Sequence, residues 1–192
     1  MKIRAKAKVR NGLSTVLTTM QYKQHKQLRL PHYDYASSGY YFITIVTKHR
    51  MHYFGNILKG KMVLSPMGVI VHKCWMMIPS ITSYATVDAF VVMPDHVHGI
   101  LRLDSQREIL ANFESVRTFQ PQKRSVSIVV RSFKAAVTRA ARELSPGIEV
   151  WQSRFYDRIV RNEKELQAVR GYIENNPMQW ETDNNNSVHL KM

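Results

Sequence analysis

Apolar and polar positions along this chain alternate between two periods, and the switches between them outline its elements. Residues 40–47 read Tyr-Tyr-Phe-Ile-Thr-Ile-Val-Thr, aromatic and β-branched throughout, which predicts a strand. Residues 53–58 and 61–64 flank Lys59-Gly60, and so short a gap holding a glycine predicts a small hairpin. Pro66 suits the first turn of a helix, and the apolar residues from Met67 to Ile78 supply one that stops before Pro79. Thr86 to Met93 is the next strand. Pro94-Asp95 interrupts it, because proline has no N–H to give to a ladder, and His96 to Leu103 resumes strand-like composition.

Residues 104–126 are polar and irregular and predict an exposed, mobile loop. Ser127 to Leu144 carries the clearest helical period. At about 100° per residue, Val129, Phe133, Ala136, Val137, Ala140 and Leu144 share one face, and Arg131, Lys134, Thr138 and Arg142 share the opposite one. Ser145-Pro146-Gly147 ends that helix. Residues 150–160 read as an extended approach and a short strand. Asn162 with Glu165 three residues on is a helix-start signal. A last helix follows, with Leu166, Val169 and Ile173 as its core stripe and Pro177 as its stop. Strands and helices interleave without a Gly-rich phosphate loop. The expectation is therefore an α+β fold, a ferredoxin- or RRM-like sandwich whose mostly antiparallel sheet carries helices on one face, rather than a Rossmann fold. The organisation expected is a basic, flexible arm over residues 1–33, one domain over 34–180, and a disordered Asn-rich tail over 181–192.

Composition changes this picture mainly through charge. The 192 residues hold 28 Lys and Arg against 14 Asp and Glu, a formal +14 with a pI near 10.1. Such an excess points to a polyanionic partner, nucleic acid first and an anionic membrane surface second. Eight of the basic residues fall within residues 1–33, where no acidic residue occurs. That arm is either disordered or a phosphate-contacting segment, which needs charge but little structure. The polar face of the Ser127–Leu144 helix poses the same choice between a solvated face and DNA contact by Arg131, Lys134 and Arg142. No apolar run approaches the roughly 20 residues of a transmembrane helix, so no membrane association through such a span is expected. The one cysteine, Cys74, excludes an internal disulfide, fits a reducing compartment and reads as a core thiol. No signal-peptide h-region is visible, and a cytoplasmic, nucleoid-associated protein is expected.

Candidate chemistry centres on residues 91–101, Val-Val-Met-Pro-Asp-His-Val-His-Gly-Ile-Leu. On a strand, residues two apart point to the same face, which sets the His96 and His98 side chains roughly 7 Å apart at their bases. They are either two ligands of one divalent ion or two core histidines satisfied by backbone. Two imidazoles do not complete a site. On the last helix, Tyr172 and Asn176 are four apart and share a face. They are either a phenol and an amide donor, or a half-buried tyrosine and an Asn chosen as a C-cap.

The ordered set of motifs resembles the His-hydrophobic-His single-tyrosine transposases, the insertion-sequence-200-like and REP-associated group. The matching residues are 40–45 (Tyr-Tyr-Phe-Ile-Thr-Ile), 91–100 (Val-Val-Met-Pro-Asp-His-Val-His-Gly-Ile), 132–138 (Ser-Phe-Lys-Ala-Ala-Val-Thr), 151–157 (Trp-Gln-Ser-Arg-Phe-Tyr-Asp) and 159–164 (Ile-Val-Arg-Asn-Glu-Lys), running into 172–177 (Tyr-Ile-Glu-Asn-Asn-Pro). They occur in the family's order across nearly the whole chain. The resemblance implies that residues 34–180 form a catalytic domain in which His96, His98 and Asn176 hold Mg²⁺ or Mn²⁺ and Tyr172 is the nucleophile. It further implies cleavage and rejoining of single-stranded DNA, a hairpin or palindromic repeat, through a 5′-phosphotyrosine, and a homodimer in some relatives. Asp95 departs from the asparagine many members carry there, and Gly171 loosens the helix beside Tyr172. Two rivals stand beside this reading. One is a non-catalytic single-stranded nucleic-acid-binding protein on an RRM-like sheet; the other is a metal-dependent phosphodiesterase that uses water.

Overall fold

In a computed structural model, which describes residues 37–104 and 125–185 with side chains to residue 180, the apolar strand segments meet in one sheet. The elements in chain order are β1 (Gly39–Val46), a tight 3-10 turn (Lys48–Arg50), β2 (Gly55–Leu58), β3 (Lys61–Leu64), α1 (Pro66–Met76), the short α2 (Ile78–Ile81), β4 (Ala85–Val92), β5 (His96–Leu103), α3 (Val126–Leu144), β6 (Tyr156–Val160) and α4 (Glu163–Asn185). Four strands lie in the order β4-β5-β1-β6, every pairing antiparallel, while β2 and β3 form a separate hairpin. The hairpin turns at Lys59-Gly60 with both residues at positive φ, the two-residue geometry that matches strand twist.

The α+β sandwich with an antiparallel sheet is the observed architecture, but its helices lie on both faces rather than one. Tyr41, Ile43, Ile45, Val97, Leu101 and Leu103 point to one side, where α1 and α3 cover them. The central contact there is Trp75 of α1, fully buried, set edge-on to Phe133 of α3 with ring centroids 5.0 Å apart. Alternate residues point the other way, and Ile100 and Val160 pack beneath Leu166, Val169 and Ile173 of α4. With both faces covered, β5 is buried at seven of its eight residues, the polar His96 and His98 included, so its burial follows no period from which two layers of helix could be read.

The start of α4 follows its sequence signal: the Asn162 side chain accepts from the Glu165 N–H at 2.9 Å, and the Glu165 carboxylate accepts from the Arg161 N–H at 2.9 Å. Its end does not. Pro177 lies inside the helix, which continues to Asn185. An interior proline removes one i to i−4 bond; here the turns beyond it rest against the β2–β3 hairpin, where Met178 approaches Gly60, and against His52 through Trp180. On α3 the buried stripe is Val126, Val129, Val130, Phe133, Val137 and Ala141, so it runs closer to the helix start than expected, and Leu144 is exposed. The arm over residues 1–33 and the loop at 105–124 lie outside the described residues, as do residues 186–192 of the tail.

Candidate functional site

β1 and β5 are the two central strands, and their register fixes which side chains share a face. Thr44 lies opposite His98, Val46 opposite His96, and Tyr156 of β6 opposite Thr44. Cross-strand partners point the same way, so His96, His98, Thr44 and Tyr156 project together toward α4. A cavity of about 500 Å³ opens there, lined among others by Phe42, Thr44, Arg50, His96, His98, Tyr156, Arg158, Tyr172, Asn176 and Trp180. All four residues singled out on the last helix and the central strand, 74 positions apart at the widest contact, therefore border one space.

Each histidine is held through its Nδ1. The Thr44 hydroxyl lies 2.8 Å from His98 Nδ1, and the Tyr172 hydroxyl lies 3.3 Å from His98 Nε2. With the phenol donating to Nε2, the ring's own N–H sits on Nδ1 and donates to Thr44. His96 Nδ1 lies 2.5 Å from Asp95 Oδ1. That leaves Nε2 as the remaining nitrogen of His96. The two rings stand at 72° with centroids 4.4 Å apart, and Phe42 stacks on His98 at 5.3 Å. His96, His98 and Asn176 are buried, whereas Tyr172 is 41% exposed.

Burial, with repulsion from His96 second, pushes His98 well below the ordinary imidazole value, so it is neutral at physiological pH. Burial alone would raise Asp95. The hydrogen bond with His96 and the charges of His96, Arg50 and His52 outweigh it and hold the carboxyl below its usual range. Arg50 reaches Asp95 Oδ2 at 3.3 Å. It does so from the 3-10 turn, where His49 and Arg50 both adopt left-handed φ values of 54° and 55°, conformations that L residues hold only under constraint from their surroundings. The β4–β5 turn beneath them is pinned by its carbonyls: Thr47 N–H donates to Asp95 O at 2.8 Å and Phe54 N–H to Pro94 O at 3.1 Å.

A divalent ion suits this donor set in part. A carboxylate or hydroxyl on each Nδ1 is the arrangement that orients an imidazole to present Nε2, and Asn176 adds an amide oxygen to the same cavity wall. Among the described residues no group of three His, Cys, Asp or Glu side chains could hold a metal, so a protein ligand set here would need a donor of another type, such as the Asn176 amide.

Sequence reasoning did not single out Thr44, Phe42, Arg50 or Trp180 as site residues: Thr44 and Phe42 reach the cavity through the register of β1, Arg50 through the 3-10 turn, and Trp180 through the continuation of α4 past Pro177. Asp95 was visible as a departure, and the structure makes it the partner of His96. Tyr156 shares the cavity but makes no contact with either imidazole that would match the one made by Tyr172. The basic residues of α3 sit elsewhere, since α3 covers the opposite face of the sheet. Arg131 and Arg142 are exposed there, while the Lys134 ammonium is tied to the carbonyls of Gln152 and Ser153 at 2.6 and 3.2 Å. Cys74, on α1, is half-buried against the core, and burial raises its thiol. No helix among the described residues is long and apolar enough to cross a membrane.

No family model matches the chain. An uncharacterized protein of Haemophilus influenzae is 40% identical over 163 residues, which span 82% of this chain and 91% of that protein. Among solved structures, that of a REP-associated tyrosine transposase bound to a REP hairpin aligns with a TM-score of 0.54 at 19% identity, over 79% of this chain and 74% of the transposase. The two have their fold in common.

Proposed function

We propose that this chain, which belongs to the same family as the Haemophilus influenzae protein, is a transposase-type enzyme that cleaves and rejoins single-stranded DNA through Tyr172. The observation that carries the reading is the approach of the Tyr172 hydroxyl to His98 Nε2, 3.3 Å, in a cavity shared with His96 and Asn176. The fold held in common with a hairpin-bound tyrosine transposase supports it.

In the reaction the phenolic oxygen of Tyr172 bonds to a backbone phosphorus and the P–O3′ bond breaks. One strand end becomes a 5′-phosphotyrosine. The other is a 3′-hydroxyl, to which the phenolic proton is in net terms delivered. Attack by the 3′-hydroxyl of another strand reverses the step and frees the phenol. One phosphodiester replaces another, so no external energy source is needed. A phenol, with an ordinary pKa of about 10, serves as both nucleophile and leaving group. His96, His98 and Asn176 would hold Mg²⁺ or Mn²⁺, an ion that offsets charge on the phosphate as it is attacked. Thr44 and Asp95 orient the two imidazoles, and Phe42 fixes the plane of His98. In this geometry Tyr172 would act in cis on the site of its own chain; exchange of α4 within a homodimer would make the same contact in trans. The +14 charge suits a DNA substrate, with the exposed Arg131 and Arg142 as phosphate contacts distant from the cleavage site, whereas the Lys134 ammonium is held by the Gln152 and Ser153 carbonyls.

The test is incubation with labelled single-stranded hairpin oligonucleotides and Mn²⁺ or Mg²⁺, scoring adducts that survive denaturation. Wild-type protein should form one, and Tyr172→Phe should form none while still binding the oligonucleotide. An adduct that persists in Tyr172→Phe and disappears in Tyr156→Phe would move the nucleophile to β6.

A further inference from the structure

The face of α4 that carries Tyr172 and Asn176 continues, four residues on, to Trp180. The core beneath this helix is complete without it: Leu166, Val169 and Ile173 meet Ile100 and Val160, and Trp180 lies two turns past Ile173, where the sheet face becomes the cavity. The indole is only partly buried. Its ring neighbours are His96, at 5.6 Å and 44°, and His52, at 5.9 Å and 63°, so neither imidazole lies flat against it. A large aromatic ring placed at the wall of a cavity, outside the core and without a coplanar partner among the described residues, is a surface suited to another flat ring. The same wall carries two cations, Arg50 of the 3-10 turn, paired with Asp95, and Arg158 of β6, paired with Glu165.

We propose that Trp180 is a stacking platform for one base of the DNA strand, that of a nucleotide adjoining the phosphate attacked by Tyr172. The inference rests on the reading of Tyr172 given above and adds to it the part of the substrate that the cavity holds. Only a single strand offers a free base face, because in a duplex both faces are taken by neighbouring pairs. Stacking on indole is tolerant of base identity, since every base has a π-face. Trp180 therefore places the strand along the cavity without reading its sequence. Its spacing of two helical turns from Tyr172 sets how far the stacked base lies from the attacked phosphate.

The test combines two variants with a set of oligonucleotides, each carrying one abasic site at a successive position around the cleavage point. Trp180→Leu should weaken binding of the intact strand about tenfold, and Trp180→Phe, which keeps a ring, should lose less. At one abasic position wild type and Trp180→Leu should bind alike, because the base the indole would stack on is gone; at the others the difference should persist. Equal binding of the intact strand by wild type and Trp180→Leu overturns the proposal, as does a loss of the same size at every abasic position. Intrinsic fluorescence gives a readout independent of the leucine variant's folding. Oligonucleotide should quench wild-type emission, and the quenching should fall in Trp180→Phe, since Trp75 is fully buried and Trp151 is packed between Phe54 and Phe133. Unchanged quenching in that variant also overturns the proposal. Adduct formation is scored in parallel. Its absence in the wild type defeats the Tyr172 reading, whereas adduct formation with no effect at Trp180 defeats only this one.

Discussion

Gly99 lies between His98 and Ile100, and its hydrogen faces the side of the sheet away from the cavity. A Cβ built there would stand 2.3 Å from Trp75 Cζ2, 2.9 Å from Cε2 and 3.0 Å from Cη2. Carbon atoms in contact prefer about 3.5–4.0 Å, so Gly99→Ala forces the indole or the strand to retreat by about 1 Å or more. The ring has little room to go. It is fully buried, stacked at 25° on Phe90 and edge-on to Phe133. Overpacking of this kind costs about 1–3 kcal/mol, offset by about 0.4–1 kcal/mol from the stiffer unfolded chain. A net loss of about 1–2 kcal/mol is expected, read as a lower urea midpoint at unchanged m-value and a fall in Tm of roughly 2–8 °C for a chain of this size. The second arm is Trp75→Phe, which removes the outer ring that supplies the three crowding atoms. It also removes an indole N–H that finds no hydrogen-bond partner among the described residues. In that background Gly99→Ala should cost at least ~1 kcal/mol less than in the wild type, the coupling expected of residues in contact. A cost that is equal in both backgrounds, or a Gly99→Ala protein as stable as wild type, would refute the argument that Trp75 packs on this glycine.

Two further outcomes follow from contacts around the site. Thr44→Val keeps the shape of the side chain but removes the partner of His98 Nδ1, 2.8 Å away; adduct formation should then need roughly 10–100-fold more Mn²⁺, with Thr44→Ser restoring the requirement, and an unchanged metal titration would exclude an orienting role. Asp88, at the register shift in β4 between Val87 and Phe90, takes a two-pronged contact from Arg170 of α4, Nε to Oδ1 at 2.7 Å and Nη2 to Oδ2 at 2.5 Å. Replacing Asp88 with Asn should slow single-turnover adduct formation more than it weakens DNA binding, because Arg170 is two residues from Tyr172 on the same helix; equal losses in rate and affinity would count against it.

Much of the local structure could be read from residue types because local physics decides it. The Lys59-Gly60 turn, the Asn162 and Glu165 start of α4, and the β-branched run of β1 depend on backbone preferences and near neighbours. The pairing of His96 with His98, and of Tyr172 with Asn176, follows from the periods of strand and helix. Those periods place two residues on one face without saying what that face meets. Only the tertiary structure brings the two faces together, through the antiparallel register of β1 and β5 and the docking of α4 over Ile100 and Val160. Because β5 is buried on both sides, its residue types do not say which side holds the histidines, and the sequence-based expectation of helices on one face did not separate the layer that carries Tyr172 from that of α1 and α3. Pro177 shows the same limit. Its local preference is to end a helix, yet contacts of the following turns with the β2–β3 hairpin and His52 keep the helix running and set Trp180 beside the cavity. Thr44 and Asp95 gain their roles from cross-strand and turn geometry, long-range relations that residue spacing along a chain does not encode.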